Sequence, residues 1–351
     1  MLTRNEIRTE MLGASKVPDV IINDIHEQRW LQVWVPKIYG GLGYRFGEGL
    51  SSLFEWAKTD GSLGWMLTLC AGANFFSRNL KPNIGKELFS DSKTCFGGSG
   101  MIGGTAEQLH DGNYLINGLW HFATGAPHLS HFTLNAKLTK NGTPIIDENG
   151  NEIIRSFIIP KDQAEIIPNW KSMGMKATGT HSFKVNNAEI SEDYSFVYDQ
   201  FFTDDALDRI PFRVFADLTL LVNYLGMAAH FLEEAVIIRS YLKVDPLHNW
   251  IESNLEVTLH FADEIECILN NSELVSSEKQ SEIHEFGISL VENLSHKVLQ
   301  VYIQLGIQAT HTDSVICRIF SDFFTATMHS NFRPALTDGE LPDLHDRLFM
   351  I

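Results

Sequence analysis

Apolar residues recur at helical spacing through the first part of the chain, at strand spacing through its middle, and at helical spacing again to near its end. Over 3–88, Val20, Ile21, Ile25, Trp30, Leu31 and Trp34 fall on apolar helix faces until Pro36 stops a helix. A glycine-rich turn at Gly40-Gly41-Leu42-Gly43 is followed by helix over 49–58 and by a second, more apolar helix from Gly61. The period then changes. Phe132-Thr133-Leu134-Asn135-Ala136-Lys137-Leu138 alternates as a strand does, Asn141-Gly142 and Asn149-Gly150 mark turns, and 153–160 and 182–190 read as further strands. After Asp204 come amphipathic segments at 215–241, 250–274, 279–309 and 314–332, which predict a helical bundle. The fold class is α+β. Its expected parts are a helical domain over 1–92, a β domain over 93–203, a four-helix bundle over 204–333 and a tail over 334–351 that wraps the surface or a neighbouring subunit.

The stretch 98–125 organises the middle of the chain. It runs from small residues through a polar turn at His110-Asp111-Gly112-Asn113 into the alternating strand Tyr114 to Phe122, then closes on Ala123-Thr124-Gly125. Thr124 and Gly125 offer a hydroxyl and bare backbone amides where a planar ring can approach. That chemistry suits a flat cofactor and not a metal. The glycines of 40–43 lack the lysine and hydroxyl that a phosphate loop requires, so they read as a turn.

Composition narrows the class. A chain of 351 residues exceeds one ordinary core and predicts two or three domains. Its formal net charge of −17 repels phosphate backbones and anionic lipid, which argues against nucleic-acid or polybasic membrane partners. The four cysteines, Cys70, Cys95, Cys267 and Cys317, form no CxxC pair and read as buried free thiols, with no disulfide framework and no zinc site. The amphipathic start has no apolar signal core, and no run approaches the roughly 18 apolar residues of a membrane span. A cytoplasmic enzyme or binding protein is expected. Asp204, Asp205 and Asp208 read as a solvated linker, not as a metal site.

Several motifs, taken together, resemble the acyl-CoA dehydrogenase superfamily. The segment from Val35 through Pro36 and Gly40-Gly41 to Tyr44 resembles its Pro-x-x-x-Gly-Gly turn, and Asp60-Gly61-Ser62-Leu63-Gly64-Trp65 its Asp-Gly-Ser-x-Gly-Trp helix start. Met173-Gly174-Met175-Lys176-Ala177-Thr178-Gly179-Thr180 matches its Gly-x-x-x-Thr-Gly-Ser loop, with Thr180 in the place of serine. The resemblance implies that family's architecture: a helical domain, a central antiparallel β domain and a four-helix bundle.

Within the superfamily the closer resemblance is to the two-component, reduced-flavin monooxygenases. The pattern Asn113-Tyr114, Gly118-x-Trp120, Thr124-Gly125-x-x-His128 is similar to theirs, and the segment from Cys317 to His329 resembles their last bundle helix, whose histidine faces the flavin. The dehydrogenases' C-terminal Tyr-Glu-Gly-Thr base motif is absent. The resemblance implies a flavin, FAD or FMN, contacted by Phe122, Ala123, Thr124 and Gly125. It implies His329 as the catalytic group that handles protons during the oxygen chemistry, and a substrate pocket that includes Trp65, Asn74 and His128. Asn74 stands where that branch often carries a histidine, and it cannot titrate. Other implications are a small-molecule substrate, reduced flavin from a separate reductase and association as a homodimer or homotetramer. The alternatives are an FAD-dependent acyl-CoA dehydrogenase and a catalytically degenerate flavin-binding or assembly protein.

Overall fold

A computed structural model describes residues 1–332 of the chain; the expected tail over 334–351 lies outside the described residues. Helices α1 (Arg4–Met11), α2 (Asp19–Gln28), α3 (Phe46–Thr59), α4 (Gly61–Asn74) and α5 (Pro82–Phe89) come first. A side-chain cap starts α4: the Asp60 carboxylate accepts the Leu63 N–H at 3.0 Å, as an N-cap aspartate does. Strands β1 (Phe96–Gln108), β2 (Tyr114–Ala123), β3 (His131–Lys140), β4 (Thr143–Pro144), β5 (Ile154–Pro160), β6 (Glu165–Ile167), β7 (His181–Ile190) and β8 (Ser195–Phe196) follow. The chain ends, as far as it is described, in α6 (Phe212–Ile238), α7 (Asp245–Asn270), α8 (Ser277–Leu305) and α9 (Val315–Thr327).

The eight strands form one sheet in the order β6-β7-β2-β1-β3-β5-β8, with β4 beside β3. Every pairing is antiparallel except one: β1 and β3 run parallel, Phe96 opposite His131, so the sheet is mixed and not wholly antiparallel. The reason is the route of the chain. A tight turn, in which Leu109 N–H donates to Asn113 C=O, returns β2 alongside β1. The loop after β2 then crosses the start of β1 to reach its other edge. Ser130 N–H donates to Cys95 C=O there, and Cys95 N–H donates to Ser130 Oγ, both at 2.9 Å. A strand laid down after that crossing must run with β1.

Trp120 fixes the middle of the sheet. Its indole is fully buried, stacks on Phe183 at 5.5 Å and donates through Nε1 to the Asn135 carbonyl. The glycines around it make that possible. A Cβ on Gly118 would stand 2.5 Å from the Gly103 carbonyl and 2.6 Å from the Trp120 ring. Part of the glycine content of 98–118 therefore serves strand approach over an indole.

Helix α6 is the axis of the helical layer, packed by α3, α4, α7, α8 and α9. By length and composition it would pass for a membrane span, contrary to the expectation that no run comes close, but its apolar window is wholly buried among those helices. It starts at Phe212 and not at 215, because Pro211 before it presets a helical entry. Helix α9 stops at Thr327, short of the expected 332, and a 3-10 turn over Ser330–Phe332 follows. Asp208 belongs to no solvated linker: it is buried and pairs with the equally buried Arg78 at 2.6 Å. Of the cysteines, all free, Cys70 and Cys95 are buried, Cys267 is exposed and Cys317 is half-buried.

Gly118→Ala is expected to lower folding stability by about 1–3 kcal/mol through overpacking, read from denaturant unfolding. Gly47→Ala in the first turn of α3, where a new Cβ meets nothing closer than 3.7 Å, is expected to leave stability unchanged or raise it.

Candidate functional site

The loop after β2 sits on a bulge. The β2–β7 register shifts between Trp120 and Ala123, and within that shift Phe122 takes φ +65°, a left-handed conformation that is unfavourable for an aromatic residue. Its ring is 63% exposed and meets Trp170 edge-on at 6.4 Å. A strained backbone that holds an apolar ring out into solvent marks a place where something planar belongs. The three residues after it are not equivalent. Ala123 is fully buried. Gly125 spends its N–H on the Thr178 carbonyl at 2.8 Å, and a Cβ there would stand 3.0 Å from Cys70 Sγ on α4. Of the four expected cofactor contacts, Ala123 and Gly125 are thus committed to packing, Thr124 is buried with its hydroxyl bonded to Thr180, and Phe122 is the one that reaches solvent.

Thr124 heads a short row of hydroxyls. The Thr178 hydroxyl donates to the Met175 carbonyl at 2.7 Å, so its oxygen must accept from Thr180, 2.7 Å away. Thr180 in turn accepts from Thr124 at 3.2 Å. Each hydroxyl has one proton, so this order leaves the Thr124 oxygen with lone pairs and no proton to offer.

The loop carrying Thr178 and Thr180 is clasped to the bundle. Gly174 lies directly on α9, where a Cβ would stand 2.1 Å from the Ser321 carbonyl. Its N–H donates to Thr325 Oγ1 at 3.1 Å, and Met175 N–H donates to Asp322 Oδ1 at 2.5 Å. Ser62 Oγ donates to the other oxygen of Asp322 at 3.2 Å. The Asp322 carboxyl therefore finds its partners on α4 and in the loop. Burial, and then the nearby charge of Asp60, push it up to about 7, against the pull of the Met175 N–H and of Arg318. Burial also raises Asp60, opposed first by Arg318 at 3.6 Å.

His329 follows α9 by two residues. Its ring packs against Trp65 of α4, centroids 5.6 Å apart and nearly perpendicular, and Trp65 lies 6.0 Å from Tyr224. The Asn331 N–H points at His329 Nδ1 at 3.4 Å, which makes Nδ1 the acceptor and leaves the proton of the neutral ring on Nε2. Tyr224 OH donates to the Ala326 carbonyl at 3.3 Å, which holds the end of α9, and burial pushes that phenol well above its ordinary range. Behind the turn, Asp217 of α6, fully buried, accepts from Asn331 Nδ2 at 2.7 Å and sits 3.1 Å from His284 Nδ1 of α8. Asp217, Tyr224 and His284 were not singled out in the sequence. The one available signal is that Asp217 interrupts the apolar stretch of α6 well before the next acids, Glu233 and Glu234.

The expected pocket does not assemble as a whole. Trp65 joins His329, but the Asn74 side chain is committed to backbone groups. Asn74 is fully buried, gives its amide to the Leu31 and Thr94 carbonyls at 2.8 and 3.4 Å and accepts the Phe96 N–H at 2.8 Å, so it ties the end of α4 to the start of β1. His128 faces the start of α2, where burial, aided by Lys16, pushes it down to about 4. The preceding residue, Pro127, lines a cavity of about 600 Å³ together with Lys16, Trp170, Lys171, Lys176 and His181. Through Trp170 that cavity adjoins Phe122.

No family model matches the chain. Its relatives are named as oxygenases. An indole-3-acetate monooxygenase of Pseudomonas putida is 27% identical over 203 residues, 57% of this chain and 50% of that protein. The oxygenase component of p-hydroxyphenylacetate 3-hydroxylase from Acinetobacter baumannii is 25% identical over 181 residues, 50% of this chain and 40% of that protein. The chain spans about half the length of the curated relatives it matches. Among solved structures, the HsaA monooxygenase from M. tuberculosis superposes with a TM-score of 0.83 over 94% of this chain and 91% of that one, at 16% identity. TdsC from Paenibacillus sp. A11-2, solved with FMN and indole, gives 0.73 over 93% and 90%, at 20% identity. The fold is acyl-CoA dehydrogenase-like, as the motifs implied.

Asp322 generates a pH dependence with a definite sign. A carboxyl raised in the folded state keeps its proton where the unfolded chain has lost it. Its contribution to stability is full below the ordinary value of 3.8 and is lost as pH rises towards about 7. Asp322→Asn, which keeps an oxygen for the Met175 N–H, is expected to flatten this part of the profile. Denaturant midpoints measured across that range should fall less in the variant than in the native chain.

Proposed function

We propose that this chain is the oxygenase component of a two-component flavin-dependent monooxygenase, acting on a small organic substrate with reduced flavin delivered by a separate reductase. The carrying observation is Phe122: a ring held out by a left-handed backbone, beside a cavity, above a row of hydroxyls. The names of the relatives agree with this reading, since they include oxygenase subunits and components acting on aromatic acids.

The residues present fit a flavin. Phe122 offers a flat apolar face, Thr124 an oxygen fixed as an acceptor, and the adjoining cavity has the size usual for small-ligand sites. When bound and reduced, the flavin supplies the electrons that activate dioxygen. Everything else falls to side chains. Thr178 and Thr180 orient the Thr124 oxygen. The clasp at Gly174 and Asp322 holds their loop against α9, and His329 lies two residues beyond the end of that helix. His329, with Nδ1 turned to the Asn331 N–H, has Nε2 as the atom that gives or takes a proton, and Trp65 packs edge-on against its ring. Burial of Asp60 and Asp322 keeps mobile charge away from the same place.

Association of copies is part of the proposal. At the adjoining ends of α6 and α8, where Arg239 Nη2 donates to the Leu305 carbonyl, Ile237, Tyr241, Ile303 and Ile307 are all more than two-thirds exposed. An apolar patch of that kind suits a second copy of the chain.

Mixing the anaerobic complex of protein and reduced flavin with oxygen in a stopped-flow instrument is expected to give a transient absorbance that free flavin does not give. Phe122→Ala is expected to weaken flavin binding by about tenfold. His329→Ala should leave binding intact and lower the product formed per flavin oxidised. Failure to take up flavin in either redox state would remove the proposal.

A further inference from the structure

The cavity beside Phe122 departs from the charge of the rest of the chain. The protein carries a formal net charge of −17, yet among the described residues the cavity lining holds Lys16, Lys171 and Lys176 and no carboxylate. Lys16 is partly committed, to Asp19 at 3.1 Å. Lys171 and Lys176 have no acidic partner among the described residues, and both are exposed. Two ammonium groups without counter-charge, on a short loop in an acidic protein, leave a local positive potential that an anion would relieve.

The remaining walls are rigid and shaped. Trp170 is fixed by its indole N–H, which donates to the Met175 carbonyl at 2.8 Å, so its ring forms a set wall between Phe122 and the lysines. The Trp170 backbone N–H donates to His181 Nδ1 at 3.1 Å. A backbone N–H can only donate, so Nδ1 accepts, and the neutral ring carries its proton on Nε2. Burial lowers the pKa of His181, which keeps the ring neutral and Nε2–H a donor. The cavity thus combines two cationic groups, one uncharged donor and an aromatic wall continuous with the exposed Phe122.

We infer that this cavity is an anion subsite, and that it holds the ribityl phosphate of the flavin whose ring lies against Phe122. This inference rests on the flavin reading above and adds to it the part of the molecule that is gripped by charge. A phosphate takes charge-assisted hydrogen bonds from Lys171 and Lys176 and a further one from His181 Nε2–H. The ring contributes the aromatic contact. The same donors would also accept the carboxylate of an aromatic acid, and the test separates the two sources.

The experiment compares binding of FMN and of riboflavin, which lacks the phosphate, to the full chain by flavin fluorescence and, anaerobically, in the reduced state. FMN is expected to bind about tenfold or more tightly than riboflavin, the usual scale for hydrogen bonds to a charged group. Inorganic phosphate should weaken FMN and leave riboflavin unaffected. In Lys171→Ala/Lys176→Ala the preference for FMN should fall towards unity, and in Lys171→Arg/Lys176→Arg it should persist. Both sites are exposed, and an unchanged melting temperature establishes that the variants fold. Equal binding of the two flavins by the native chain, or a preference that survives the double alanine variant, overturns the subsite while leaving the flavin reading in place. Displacement by phenylacetate but not by phosphate assigns the lysines to a carboxylate and likewise overturns it. Binding of neither flavin, in either redox state, removes the reading on which it rests.

Discussion

The contact between Gly174 and α9 is the constraint on which the rest of the site depends. A backbone without a side chain lies against the Ser321 carbonyl, and the next amide donates to a buried carboxylate. Without that approach the 173–181 loop would stand off the bundle, and the threonines it carries would lose their relation to His329. The carboxylate is costly to bury. It is offset by two hydrogen bonds, from Met175 and Ser62, and by the nearby Arg318. One interaction thus ties together the sheet, the first helical layer and α9.

A second economy of space operates inside the sheet. Trp120 is too large for an ordinary pair of strands to close over, and the glycines opposite and beside it remove the Cβ atoms that would collide with it. The indole in return gives the sheet a stacked core with Phe183 and a hydrogen bond to the Asn135 carbonyl. Two residues beyond this indole, inside the register shift of β2 on β7, Phe122 stands in a left-handed backbone.

Electrostatics around the site are divided by side. On the bundle side, the buried carboxyls of Asp60 and Asp322 are raised by burial and hold their protons more tightly than exposed acids do. On the sheet side, lysines and a neutral histidine face a cavity open to solvent. A ligand with a flat middle and a charged end would match this division, the flat part lying at Phe122 between the two.

The sequence by itself determined which segments are helices and which are strands, because the period of apolar residues reports how each segment buries one face. It also determined that hydroxyl and glycine positions cluster at 122–125 and 173–181, since those are properties of residue type. The partner covering each face was decided by the tertiary structure. Period does not record the route of the loop over β1, and so the parallel β1–β3 pair was not legible. Asn74 occupies the position of a pocket residue in the motif, yet its amide is consumed by the carbonyls of Leu31 and Thr94. Asp322 meets Met175 across 147 residues, and Tyr224 meets Ala326 across 102. Hydrogen bonds of that span, and the cavity shared by Trp170, His181 and the lysines, arise only when the layers pack, because distance in space at such separations is set by packing and not by any local pattern.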